Sequence, residues 1–142
     1  MSGASAQQKG KRGEMEVVQM LRDTGVDETA RRDPGSGSGN RDKTDVINSI
    51  NYVIEVKRQE KLNIWNAIEQ AETYSAMNHA IPSVFFKRNR MDEWWVAIPY
   101  REWGKLIQKT KEPKTPDNNA QFFRDLLMLK QAVSRVMKHV RD

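Results

Sequence analysis

Between Asp45 and Lys57 the chain reads DVINSINYVIEVK, and three of its side chains carry charge at a spacing that could do chemistry. Residues 52–57 are β-rich, so Val53, Glu55 and Lys57 share one face of a strand while Ile54 and Val56 share the other. A carboxylate and an ammonium two apart in so apolar a strand are costly to bury unless they serve each other or a ligand. Asp45 opens the short run 45–48, and antiparallel pairing through the turn 48–51 brings it near Glu55. Two carboxylates held close repel each other, and one is driven toward protonation unless a divalent cation lies between them. Donors that are all oxygen favour Mg2+ or Mn2+ over zinc. Lys57 would then orient a water beside the metal, or offset charge developing on a phosphate. The plainer reading makes Glu55 and Lys57 an ordinary ion pair on a solvated sheet face and Asp45 a turn residue. E-x-K alone fits the plainer reading better; D-x9-E-x-K across a hairpin fits either equally well.

Positioning these residues takes several elements. Apolar Met15, Val17, Val18, Met20 and Leu21 recur at helical spacing over residues 9–24, and Gly25 is a natural stop. Residues 28–32 read as a short strand, and 45–48 with 52–57 as a hairpin. A helix follows over 62–78, with Ile64, Trp65, Ile68, Ala71 and Met77 mostly to one side. Two further strands, 82–87 and 93–98, flank a polar turn, and a short helix spans 100–109. Pro113 and Pro116 break the chain before a last helix over 119–140. This order predicts an α/β fold, a mixed central β-sheet flanked by helices, with an extra C-terminal helix. The division expected is a small, polar, disordered tail (1–8), a core domain (9–109), a linker (110–118) and a helical extension (119–142).

Composition sets the outer bounds. The 142 residues suffice for one core but not comfortably for two. With no cysteine, disulfides, zinc–thiolate sites and thiol nucleophiles are excluded. No apolar run approaches the roughly 18 residues of a membrane span, and the first dozen residues lack a leader's apolar stretch. A cytoplasmic protein, of a cell or of a virus's host, is the expectation. The formal net charge of +5 favours a polyanionic partner. Residues 100–142 hold ten Lys/Arg against five Asp/Glu, which is the whole surplus.

Asp45 followed by Glu55-Val56-Lys57 resembles the signature of the PD-(D/E)xK nuclease superfamily. The opening of the first helix, Lys9-Gly10-Lys11-Arg12-Gly13-Glu14-Met15-Glu16, is similar to that of archaeal-type Holliday junction resolvases, where a Gly-rich start precedes a helix carrying a third acidic ligand. The resemblance covers residues 9–98 and departs at Thr44, where the signature has proline. It implies a restriction-endonuclease-like core and a Mg2+-dependent endonuclease, Mn2+ substituting, in which Glu14, Asp45 and Glu55 hold the metal. Lys57 would orient the attacking water and Gln70, within the Q-x-x-x-Y of Gln70 to Tyr74, would support it. Glu16 would point elsewhere. The implied partner is branched DNA, a four-way junction, cut by a homodimer. Flap or restriction-like cleavage, or a silent DNA-binding module, are the alternatives.

The stretch RRDPGSGSGNRDKTDV (31–46) then reads as a loop rather than an interdomain linker, because the thirty or so residues before it are too few to fold alone. Nor is it a P-loop, whose G-x-x-x-x-G-K-[ST] spacing is missing. The resemblance makes it a mobile loop that approaches DNA, with Ser36 or Ser38 near the cut. Arg31, Arg32, Arg41, Lys43 and Arg58 are the candidate phosphate contacts. Trp94 and Trp95, adjacent in a strand, should face opposite sides. In the last helix Phe122, Leu126, Leu129, Val133, Val136 and Val140 form an a/d seam, packed either on its own domain or across a twofold axis.

Overall fold

The computed structural model describes residues 3–35, 44–111 and 118–139. Its elements are α1 (Gly3–Asp23), β1 (Arg31–Arg32), β2 (Val46–Ile47), β3 (Tyr52–Arg58), α2 (Ile64–Asn78), β4 (Ile81–Lys87), β5 (Trp95–Ala97), α3 (Tyr100–Lys111) and α4 (Asn118–His139). The expected order of helices and strands is met. Two compact units account for the chain, Met1–Gly104 and Lys105–Asp142, with the division inside α3 rather than at the prolines.

In the first unit β3, β4 and β5 form a mixed sheet. β3 runs parallel to β4, with Glu55 opposite Val84, and β4 runs antiparallel to β5. The parallel pair needs a crossover, and α2 supplies it. Alternation along β3 divides the core in two. Ile54 and Val56 pack with Val17, Val18 and Leu21 of α1, while Val53 joins Val84, Ala67 and Ala71 on the α2 side. Each face of the strand is therefore covered by a different helix, and this is how so short a strand comes to be buried from Val53 to Val56. Trp94, just ahead of β5, packs against the α1 cluster, while Trp95, the first residue of the strand, is exposed.

Local chemistry sets the boundaries. α1 starts at Gly3, six residues before the expected start, because Ala4, Ala6, Gln7 and Gln8 are good helix formers extending a nucleus already in place. The expected disordered tail over 1–8 is thus helical from Gly3. The helix ends where Gly25 takes a φ of 69°, with its amide bonded to Arg22 O at 3.0 Å. The strand expected over 28–32 shrinks to Arg31–Arg32 because Asp27 holds a turn ahead of it. Its carboxylate accepts from the Thr29 amide at 2.9 Å, the Thr29 hydroxyl at 2.7 Å and the Ser49 amide at 2.7 Å. Those bonds, the Thr29 hydroxyl foremost, pull the Asp27 carboxyl down to about 2.

Asn63 caps α2, its side-chain oxygen accepting the Asn66 amide at 3.3 Å, which moves the start from 62 to Ile64. Asn63→Ala should lower the unfolding free energy by about 0.5–2 kcal/mol in a urea titration, with the m-value unchanged.

Candidate active site

The expected pairing of 45–48 with 52–57 forms no β-ladder among the described residues: β2 pairs antiparallel with β1 instead, and the segment that presents Asp45 is tied to β3 by side chains as much as by backbone. The Asp45 amide bonds to Ile54 O at 3.0 Å, and its carbonyl accepts the Asp33 amide at 3.0 Å. Thr44, where the signature has proline, accepts the Ile54 amide at 3.0 Å on its hydroxyl and shares its own proton between Ile54 O and Val46 O. At the turn, Asn48 accepts the Tyr52 amide and donates to Tyr52 O, and Asn51 adopts a φ of 61°, a conformation asparagine tolerates. These bonds fix Asp45 beside the middle of β3.

There the carboxylates converge. Asp45 Oδ2 accepts the Val56 amide at 2.7 Å. Burial first, then the Glu55 carboxylate, push the Asp45 carboxyl up from 3.8 to about 7. Glu14 adds to the rise, while the Val56 bond and Lys57 oppose it. Glu14 and Glu55 are themselves buried. Lys57 Nζ lies 2.5 Å from Glu55 Oε1, and Arg32 pairs with Glu14. Asp45, Glu55 and Lys57 thus lie together on neighbouring segments, Glu14 reaches them from α1, and the ammonium is partly exposed.

Glu14 reaches this point because α1 lies close on β3 at Gly13. A β-carbon built there would come 3.3 Å from Arg58 Cβ, 3.5 Å from Val56 Cγ1 and 3.6 Å from Trp94 Cη2. Glu16, two residues on, points elsewhere. It pairs with Arg58 at 2.5 Å and Lys87 at 2.6 Å, and Lys87 also lies over the Trp94 ring.

Other expected site residues fall differently. Arg32 and Arg58, expected on phosphate, are held in ion pairs, Arg32 with the buried Glu14, which needs countercharge, and Arg58 with the half-buried Glu16. Arg31 is exposed on β1. Gln70 is exposed on α2, with no hydrogen bond to Lys57 among the described residues. Ser36, Ser38, Arg41 and Lys43, and with them the expected mobile loop, lie outside the described residues. Sequence reasoning passed over a groove of about 440 Å³ lined by Lys9, Arg12, Arg58, Glu60, Asn89 and Arg90. The basic cluster at Lys9, Lys11 and Arg12 was its signal.

A family model described as phage putative PDDEXK endonuclease matches residues 5–136. The chain belongs to this PDDEXK endonuclease family. Membership places it in the PD-(D/E)xK superfamily through a phage family, not through the archaeal junction resolvases that its first helix resembles. No curated protein and no solved structure matches the chain.

Nucleases of this superfamily generally use divalent metals. Among the described residues no three carboxylate, histidine or cysteine groups are gathered closely enough to hold an ion as they stand. Two of the carboxylates are paired with cations instead, Glu14 with Arg32 and Glu55 with Lys57. The donor set still fits a hard cation. Asp45, Glu55 and Glu14 offer only oxygen, and a cation among them would relieve the repulsion that raises Asp45. Bound there, it would neutralise charge on the phosphate under attack. Lys57, steered by Glu55, can donate a hydrogen bond to a water and fix its direction of approach. Among the described residues no helix is long and apolar enough to cross a membrane.

Proposed function

We propose that this PDDEXK endonuclease hydrolyses DNA phosphodiester bonds with Mg2+, Mn2+ substituting, and that its substrate is a four-way junction. The observation that carries the nuclease reading is Asp45. It is a carboxyl raised to about 7 by burial and Glu55, with Glu14 adding and a lysine at the mouth. A protein that only bound DNA would gain nothing from negative charge gathered where phosphate must approach. Glu14, Asp45 and Glu55 hold the ion, and Lys57 orients water. The groove of Lys9, Arg12 and Arg90, with Arg31, Arg41, Lys43 and Ser36 or Ser38, takes the DNA backbone. Junction specificity rests on the likeness of Lys9 to Glu16 to the resolvase helix, and a twofold-symmetric junction suits a symmetric dimer. Work in the cytoplasm of a phage host fits both.

The test is cleavage of a four-way junction, a flap and a linear duplex, each with Mg2+, with Mn2+ and with chelator. The junction should be cut in preference and only with metal. Equal cutting of linear duplex overturns the junction assignment in favour of a restriction-like nuclease, and preference for the flap does so in favour of a flap nuclease. Metal-independent binding without any cleavage would leave a silent DNA-binding module.

A further inference from the structure

Helix α4 carries an apolar surface that nothing in the nuclease chemistry uses. Phe122, Leu126, Leu129, Val133 and Val136 are each half or more exposed, at 61, 50, 62, 51 and 64%. Their spacing alternates between four and three, so they form one stripe along the helix, the pattern of d and a positions in a heptad. Stripes of this length are expensive to leave in water, and on soluble proteins they mark a contact surface.

Charge on either side of the stripe says what covers it. Asp125 immediately precedes the a position Leu126 and is therefore a g residue; Lys130 immediately follows the d position Leu129 and is an e residue. The two flank the stripe on opposite sides, five residues apart. In a parallel two-stranded coil a g residue faces the e residue five positions on in the partner helix. Two copies of α4 laid parallel and in register thus place Asp125 of each against Lys130 of the other, twice by symmetry. An antiparallel arrangement sets g against g and e against e, and the acid loses its cation. Asp125 also accepts a bond from Gln121 at 3.0 Å within its own helix, which orients it without neutralising it. The remaining cations, Arg124, Arg135 and Lys138, fall on the face away from the stripe and would stay in solvent.

We propose that α4 is a dimerisation helix, pairing in parallel with α4 of a second copy of this chain through Phe122, Leu126, Leu129, Val133 and Val136. The proposal goes beyond the nuclease reading and does not depend on it. The dimer carries the Arg124, Arg135 and Lys138 faces outward, an arrangement compatible with a polyanion bound on either side.

Sedimentation of the full-length chain over a wide concentration range tests this without DNA or metal. A monomer–dimer equilibrium is expected, lost in Leu129→Glu and in Val133→Glu while the melting temperature of the core stays put. Asp125→Lys alone and Lys130→Asp alone should each raise the dissociation constant about tenfold, since each sets like charges across the seam. Mixing those two single variants should restore association as a heterodimer, because each then meets its opposite. Three results overturn the proposal. One is a monomer at every concentration, with Leu129→Glu lowering the melting temperature, which places the stripe inside its own chain. Another is a dimer indifferent to both seam variants. The third is a failure of the mixed charge variants to pair, which removes the parallel register. Cleavage assays on the same variants bear on the nuclease reading separately.

Discussion

Asp45→Asn should lose metal-dependent cleavage, with kcat/KM falling on the order of 10²–10³-fold or more, while DNA binding is unchanged or slightly tighter. Asparagine is nearly isosteric and its side-chain oxygen can still accept the Val56 amide, so residue 45 stays in place against β3. What disappears is a negative charge wanted by the metal and opposed by burial, Glu55 and Glu14, which outweigh the Val56 amide and Lys57. The same substitution should therefore stabilise the metal-free protein. Because the folded-state value of Asp45 is raised to about 7 from 3.8, folding takes up a proton across that interval. The stabilisation from that uptake is complete below pH 3.8 and is lost as pH rises through about 7. At pH 8 the wild-type carboxylate is ionised against Glu55 and Glu14, and Asp45→Asn should be more stable by on the order of 1–3 kcal/mol. At pH 5 the difference should be roughly half as large or less, and it should vanish only below pH 3.8, where the unfolded carboxyl is protonated as well. Added Mg2+ should raise the wild-type melting temperature at pH 8 and leave the variant's where it was. Thermal melts of both proteins at the two pH values, with and without metal, read all of this. Undiminished cutting would remove Asp45 from the site, and a stability difference independent of pH would remove the buried repulsion.

Gly13→Leu is the second large effect. Gly10 and Gly13 lie in the same helix, and a helical glycine replaced by alanine usually gains up to about 1 kcal/mol. Gly10 has open space around it, so Gly10→Ala should show that gain. At Gly13 even a β-carbon meets Arg58 Cβ at 3.3 Å, and a leucine must drive into Arg58, Val56 and Trp94. The cost should be roughly 1–3 kcal/mol, relieved by α1 lifting from β3. That movement carries Glu14, the next residue, away from Asp45. A displacement of about 1 Å in a positioned group can cost about 10²-fold in rate. Denaturant titration and cleavage kinetics of the two variants separate helix propensity from this close approach. Equal behaviour of Gly10→Leu and Gly13→Leu would show that α1 does not need glycine to seat Glu14.

Much of the site was legible because its chemistry is local. Asp45, Glu55 and Lys57 lie within thirteen residues, and the turn between them was enough to suggest their proximity, although β2 takes β1 rather than β3 as its ladder partner. Glu14 was legible only through likeness to a known helix opening, since nothing in periodicity links residue 14 to residue 45. The PD-(D/E)xK core followed from the same residues, but the particular family did not. The resolvase-like opening of α1 pointed to an archaeal family, whereas residues 5–136 match a phage one.

Amino-acid order alone determined the succession of elements and the two faces of β3, because each depends on backbone period and burial over a few residues. Tertiary structure alone decided which cations the carboxylates took. Arg32 and Arg58 look like free phosphate ligands in the sequence, yet the fold brings them against Glu14 and Glu16, forty-two residues separating the second pair. It also decided that Gly13 marks a close approach of helix to strand, and that Asp27 reaches Ser49 to end a strand before it starts. The physical reason is the same in each case. Coulombic pairing and steric contact act through space at a few ångströms, and distance along the chain says little about them.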